Sequence, residues 1–236
     1  VQRWIALRQT PVTDKRIALV LANYPARNAR LANGVGLDTP ASAVAILHWL
    51  QEEGYWLGNQ PLPATSEELI HQLSSGRTPD PETWHHQASE QLALADYRQA
   101  WKDLPNNAKQ AMVERWGEPS SDPTIDGDCF PLSATRYGNI TLILQPSRGY
   151  DRDPSLNYHA PDLAPTHSYL AHYIWIREQF HAHAVIHLGK HGNLEWLPGK
   201  GMGQSPACFP QLCLGAMPHL YPFIVNDPGE GSQAKR

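Results

Sequence analysis

The run Ile17-Ala18-Leu19-Val20-Leu21 is apolar at every position and follows directly on Lys15-Arg16. A strand with one wet face alternates apolar and polar residues. One that never alternates must be covered on both sides, as an interior strand of a parallel sheet is. Strand-like apolar stretches return at Asn139 to Leu144, at His183 to Leu188 and at Pro222-Phe223-Ile224-Val225. Each of the four runs into a loop of Gly, Pro and polar residues. In a parallel α/β sheet such loops gather at the carboxyl edge, where ligands bind.

Helix signals lie between these runs. Thr39 can cap and Pro40 can open a helix from Ala41 to Glu53, with Gly54 as its stop. Thr65 with Glu68 forms a capping box for a helix to about Ser74, ended by Gly76. Pro81 opens an amphipathic segment through Trp101, Pro105 precedes a short helix ending near Trp116-Gly117, and His167 to Phe180 reads as a further helix. The histidines and tryptophans of this region, His71, His85, His86, Trp84 and Trp101, read as surface and core residues. The expected fold is α/β: a mostly parallel sheet flanked by helices, with an inserted helical block. Its segments are an α/β stretch at 1–64, the helical block at 65–120, and an α/β stretch at 121–236 that carries the candidate loops.

With 19 Lys and Arg against 23 Asp and Glu, the formal charge is -4 and no long basic run occurs. No electrostatic grip on nucleic acid or anionic lipid is indicated. Cys129, Cys208 and Cys213 are odd in number and lack CxxC spacing, which fits neither a disulfide framework nor a structural zinc site. No stretch is long and apolar enough to span a bilayer, and no secretory signal opens the chain, so a cytoplasmic setting is expected. The chain begins at Val1 and stops at Lys235-Arg236 in helix-like sequence, so a piece of a longer polypeptide is expected.

Residues 187 to 200, His-Leu-Gly-Lys-His-Gly-Asn-Leu-Glu-Trp-Leu-Pro-Gly-Lys, set two imidazoles, a carboxylate and two lysines among glycines just past a strand. His187, His191 and Glu195 stand four apart, but Gly189, Gly192 and Pro198 argue for a glycine turn instead of a continuous helix. Two imidazoles and a carboxylate suit a borderline divalent metal or proton transfer beside one. The chain has no His-Glu-x-x-His zinc helix, no Walker phosphate loop and no Gly-x-Ser-x-Gly elbow. The plainer alternative is that His187 and His191 satisfy backbone carbonyls at a strand end. Asp227 and Glu230 are a second carboxylate pair in another strand-end loop, or simply turn and helix-start residues. The loop from Ser147 to Pro165 is unusually long and carries Arg148, Tyr150, Asp151, Arg152, Asp153, Tyr158 and His159, groups that order against something large and partly polar.

Five stretches then carry a resemblance: LANYPARNARLANGVGLDTPAS at 21–42, RYGNITLILQPSRGY at 136–150, YHAPDLAPTHSYLAHYIW at 158–175, HAVIHLGKHGNLEWLPGK at 183–200 and LYPFIVNDPGEGSQAKR at 220–236. In this order they resemble the large subunits of the aerobic cobaltochelatases and, more distantly, the porphyrin-binding large subunits of magnesium chelatases. The likeness covers nearly the whole chain, the helical block least clearly. His-Leu-Gly-Lys-His-Gly-Asn-Leu-Glu-Trp and Asn-Asp-Pro-Gly-Glu-Gly are of the cobalt type; the magnesium subunits carry Met-His-Gly-Thr and Asn-Asn-Pro-Ser-Glu there. Gly201-Met202-Gly203 departs from the usual cobalt-type continuation.

The resemblance implies ATP-dependent insertion of cobalt into a corrin precursor, hydrogenobyrinic acid a,c-diamide, in cobalamin biosynthesis. The chain would be part of the tetrapyrrole-binding large subunit and inactive alone. Two smaller AAA+ ATPase subunits are the implied partners and the users of ATP with magnesium, while cobalt is a substrate ion. Magnesium insertion into protoporphyrin and a non-catalytic tetrapyrrole scaffold are the alternatives. The family's His-Gly-x-x-Glu element falls on His191, Gly192 and Glu195, with His187 and Lys190 in the longer signature. Glu195, assisted by His191 or His187, would accept ring protons, and His187, His191, Glu195, Asp227 and Glu230 would hold cobalt in transit. Arg148, Arg152 and Lys190 would meet the substrate's carboxylates. Tyr150, Tyr158, His159 and Trp196 would line its face or rim, with pinning of the loop an equal role for Trp196.

Overall fold

A computed structural model describes residues 1–23, 27–34, 36–152, 160–189 and 194–222. The chain opens with α1 (Gln2–Gln9), then β1 (Ile17–Leu21), α2 (Thr39–Glu52) and α3 (Ser66–Ser75). It continues with β2 (Glu90–Ala93), α4 (Leu94–Lys102), α5 (Asn106–Trp116), β3 (Cys129–Leu132), β4 (Ala134–Tyr137) and β5 (Ile140–Leu144). The last elements are α6 (His167–Glu178), β6 (Ala184–Leu188), α7 (Phe209–Leu214) and β7 (His219–Leu220). The main sheet has the order β4-β5-β1-β6-β7. Strands β5, β1, β6 and β7 are parallel neighbours, and only the edge strand β4 runs antiparallel.

The unbroken apolar run of β1 follows from this position. Ala18 and Val20 belong to one core, with α4, α5, α6 and the small β2–β3 ribbon. Ile17, Leu19 and Leu21 belong to a second, with α2 and α3. Successive strand side chains point to opposite faces, so a strand with a core on each face must be apolar throughout. Residues from all three sequence segments enter the first core, as Val20, Leu92 and Tyr169 illustrate.

The caps act where the residues allow. The Asp38 side chain, not that of Thr39, caps α2 by accepting from the Ala41 amide (3.0 Å). Thr65 accepts from the Glu68 amide at 3.2 Å, and Glu68 reaches back to the Ala64 amide at 2.8 Å. The segment after Pro81 differs from the helix its sequence suggests: a turn at Pro81–Thr83 leads to β2, and helix begins only at Leu94. Cross-strand pairing of β2 with β3 and complete burial of Leu92 outweigh the helical leaning of Glu90 and Gln91. Of the strand expected at 222–225, residues 223–225 lie outside the described residues; the described strand β7 stands just before it.

Helix α6 is buried from His167 to Ile176, because it lies between the sheet and the β2–β3 layer. Its polar groups must therefore find partners within the protein. Thr166 caps it, accepting from the Tyr169 amide at 3.1 Å. His172 accepts at Nε2 from the Ser133 amide (3.3 Å) and donates from Nδ1 to the Ser168 carbonyl (2.7 Å). Burial pushes its pKa down to about 4.

Candidate functional site

The loops after β1, β5, β6 and β7 leave the same edge of the sheet, since those strands are parallel. The loop after β6 starts with a constraint that only glycine meets. Gly189 has φ 154, and a Cβ there would lie 2.1 Å from the Ala22 Cβ, where the ends of β6 and β1 come together. Beyond it, Leu194–Trp196 forms one 3-10 turn whose three residues are all buried.

Glu195 is 5% exposed and accepts a hydrogen bond at Oε1 from the Tyr221 hydroxyl, 2.5 Å away. A short bond from a neutral donor to a carboxylate is a charge-assisted contact, stronger than an ordinary hydrogen bond. The Tyr221 ring stacks on His219 (centroids 5.5 Å, interplanar 22°) and meets His187 edge-on at 5.8 Å. His187 Nδ1 and His219 Nε2 are 2.8 Å apart, and His187 Nε2 lies 2.9 Å from the Tyr173 hydroxyl on α6. Gln145, just past β5, donates to that hydroxyl at 3.4 Å. Residues of α6 and of β7 and its end thus converge on the one imidazole of β6.

Electrostatically this inner part of the site is kept neutral. Burial, with His219 beside it, holds the His187 imidazole well below its ordinary pKa, and burial also lowers His219. Burial raises the Tyr173 phenol. A hydrogen bond between two ring nitrogens needs one protonated donor and one bare acceptor, so the two facing nitrogens cannot both carry a proton. Both His187 ring nitrogens are engaged within the protein, so in this arrangement the residue anchors its neighbours and turns no lone pair toward a metal.

The aromatic and basic residues of the β5 loop take several orientations. Arg148 is completely buried and donates to the Trp196 carbonyl (2.7 Å) and the Ala160 carbonyl (3.2 Å), so it ties two loops together instead of facing solvent. A guanidinium has five donors in a fixed fork, which suits it to join two backbones. Trp196 is 8% exposed. Tyr150 is half-buried. Arg152 pairs with buried Asp122 at 3.3 Å and lies over the Trp116 ring. Burial alone would raise the Asp122 pKa, but Arg152 and the Thr124 hydrogen bonds outweigh it and hold the carboxylate below its ordinary range. Lys190, His191, Tyr158, His159, Asp227 and Glu230 lie outside the described residues. Among the described residues, no three His, Cys, Asp or Glu side chains form a metal-binding group.

Three members of the network, Tyr173, His219 and Tyr221, are not distinguished by sequence motif. A weak signal existed: His219 and Tyr221 stand two apart in extended chain and so share a face. An open apolar cleft of about 540 Å³, bordered by Ile46, Trp49, Leu188 and Pro222, lies at the same sheet edge. No described helix is long and apolar enough to cross a membrane.

All 236 residues match the family profile described as CobN/Magnesium Chelatase. The aerobic cobaltochelatase subunit CobN of Pseudomonas aeruginosa is 50% identical over 236 residues, 100% of this chain and 19% of that protein. Its counterpart from a Sinorhizobium species is 47% identical over 233 residues, 99% of this chain and 18% of that protein. Among solved structures, the catalytic subunit of cobaltochelatase from Mycobacterium tuberculosis matches with a TM-score of 0.81 and 44% identity, over 99% of this chain and 20% of that one. The chain therefore spans about a fifth of the length of these relatives.

Proposed function

Because this chain belongs to the CobN/magnesium chelatase family, we propose that it forms part of the large subunit of an aerobic cobaltochelatase, which holds a corrin precursor of the hydrogenobyrinic acid a,c-diamide type while cobalt enters it. Two relatives near half identity are cobaltochelatase subunits, which favours cobalt over magnesium. The sequence has no Walker phosphate loop, which agrees with ATP being hydrolysed by separate AAA+ subunits.

The observation that carries the reading is Glu195, a carboxylate buried at the carboxyl edge of the parallel sheet and held by the Tyr221 hydroxyl. Insertion exchanges ring N–H protons for bonds from nitrogen to a divalent cation, while that cation sheds its water. A fixed carboxylate in a water-poor site serves both needs: it takes a proton from the ring, and its charge favours the approach of the ion. His191, Asp227 and Glu230 remain the further residues proposed to handle cobalt in transit. The buried His187 backs the site without ligating. The apolar cleft beside Leu188 and Pro222 offers a surface for the face of a flat macrocycle.

The test uses the full-length subunit with its ATPase partners, the corrin precursor, Co2+ and ATP. Glu195→Gln keeps shape and removes the base. Insertion is expected to fall by roughly 100-fold or more with corrin affinity retained. Unchanged insertion refutes the role of Glu195.

A further inference from the structure

We infer that Tyr221 is a positioning residue for the Glu195 carboxylate, and that His219, His187 and Tyr173 behind it fix its hydroxyl in place. This rests on the proton-accepting role proposed for Glu195.

Glu195 lies on a single 3-10 turn, which by itself leaves a long side chain several rotamers. The 2.5 Å bond from Tyr221 fixes one of its carboxylate oxygens from outside the turn. Tyr221 follows a strand of two residues, too short to hold a ring alone. The ring gains its orientation from the flat face of His219, and His219 is held nearly perpendicular to His187 (centroids 4.8 Å, interplanar 88°) by their 2.8 Å hydrogen bond. His187 is anchored in turn by Tyr173, from a helix buried from His167 to Ile176, at 2.9 Å. Rigidity therefore passes from α6 through β6 and β7 to a carboxylate whose own turn supplies little of it. Reacting groups have to be held to a fraction of an ångström for efficient proton transfer, and a packed shell behind the reacting residue provides this.

The experiment is a double-mutant cycle in the complete chelatase. Tyr221→Phe keeps the ring and its stacking while removing the hydroxyl. It is expected to lower kcat for insertion by about 10- to 100-fold, with KM for the corrin and for cobalt unchanged. On a Glu195→Gln background the same change is expected to cost little further, since the positioning of Glu195 is then no longer needed. His219→Ala, which removes the ledge beneath the ring, should behave likewise in both backgrounds. If Glu195→Gln itself leaves insertion unchanged, the proton-acceptor reading has failed. If Glu195→Gln is inactive while Tyr221→Phe is fully active, or its loss adds undiminished to that of Glu195→Gln, the positioning inference alone has failed.

Discussion

His172 gives the fold a pH dependence whose size can be worked out. Its ring is 4% exposed, with Nδ1 and Nε2 both committed to backbone groups, and its pKa is lowered from 6.5 to about 4 by burial. The folded protein thus holds this ring neutral where the unfolded chain protonates it. Such a group's stabilising contribution is complete above the unfolded value and is lost as pH falls from about 6.5 towards 4. Going from about pH 7.5 to about pH 5 should therefore cost roughly 2 kcal/mol through His172 alone. His187 and His219, also lowered by burial, act in the same direction. His172→Gln cannot protonate, so whatever its baseline stability, its loss over that pH interval should be smaller than the parent's by about 2 kcal/mol. Urea unfolding followed by tryptophan fluorescence at the two pH values measures this difference. Equal losses in parent and variant would refute the claim that His172 is held neutral inside the fold.

Two further substitutions probe the loops that frame the site. Arg148→Met removes both donors to the Trp196 and Ala160 carbonyls and should cost roughly 3 kcal/mol in urea unfolding; a loss below about 0.5 kcal/mol would mean the buried guanidinium joins nothing that matters. Gly189→Ala places a methyl 2.1 Å from the Ala22 Cβ at a φ of 154 and should destabilise the chain by about 2–4 kcal/mol. A crystal structure of that variant should show the ends of β1 and β6 forced apart, and an unmoved Ala22 would overturn the argument.

Much of the architecture is legible in the sequence because burial on both faces leaves a mark no other setting does. Ile17–Leu21 could hardly be anything but an interior strand, and Thr65 with Glu68 announces a helix start that the structure contains. The stretch from Pro81 to Trp101 is not legible, since Glu90 and Gln91 suit a helix and become strand only through partners near residue 130. The same reasoning separates the parts of the site. Glu195 and His187 stand out because a carboxylate and an imidazole are conspicuous beside glycines. Tyr173, His219 and Tyr221 do not, because their roles arise from pairing between α6, β6 and β7, which the order of residues along the chain does not reveal. Arg148 illustrates the opposite case: its charge suggested a substrate carboxylate, whereas its depth assigns it to backbone carbonyls.

The strand order has a consequence for how this protein comes into being. The central strand β1 is made early, yet its neighbours are β5 and β6, so Ile17 must find both Ile140 and Ala184. Closing loops of that length is slow, and contact order this high places sheet completion late in folding. On a ribosome, β1 emerges long before either partner, and its apolar face stays open to wrong associations in the interval. Glu195 can be locked only after Tyr221 has been synthesised. The contact between Glu195 and Tyr221 thus forms after most of the sheet's strands have been made, and substitutions that slow the pairing of β1 should lower the yield of folded protein more than its final stability.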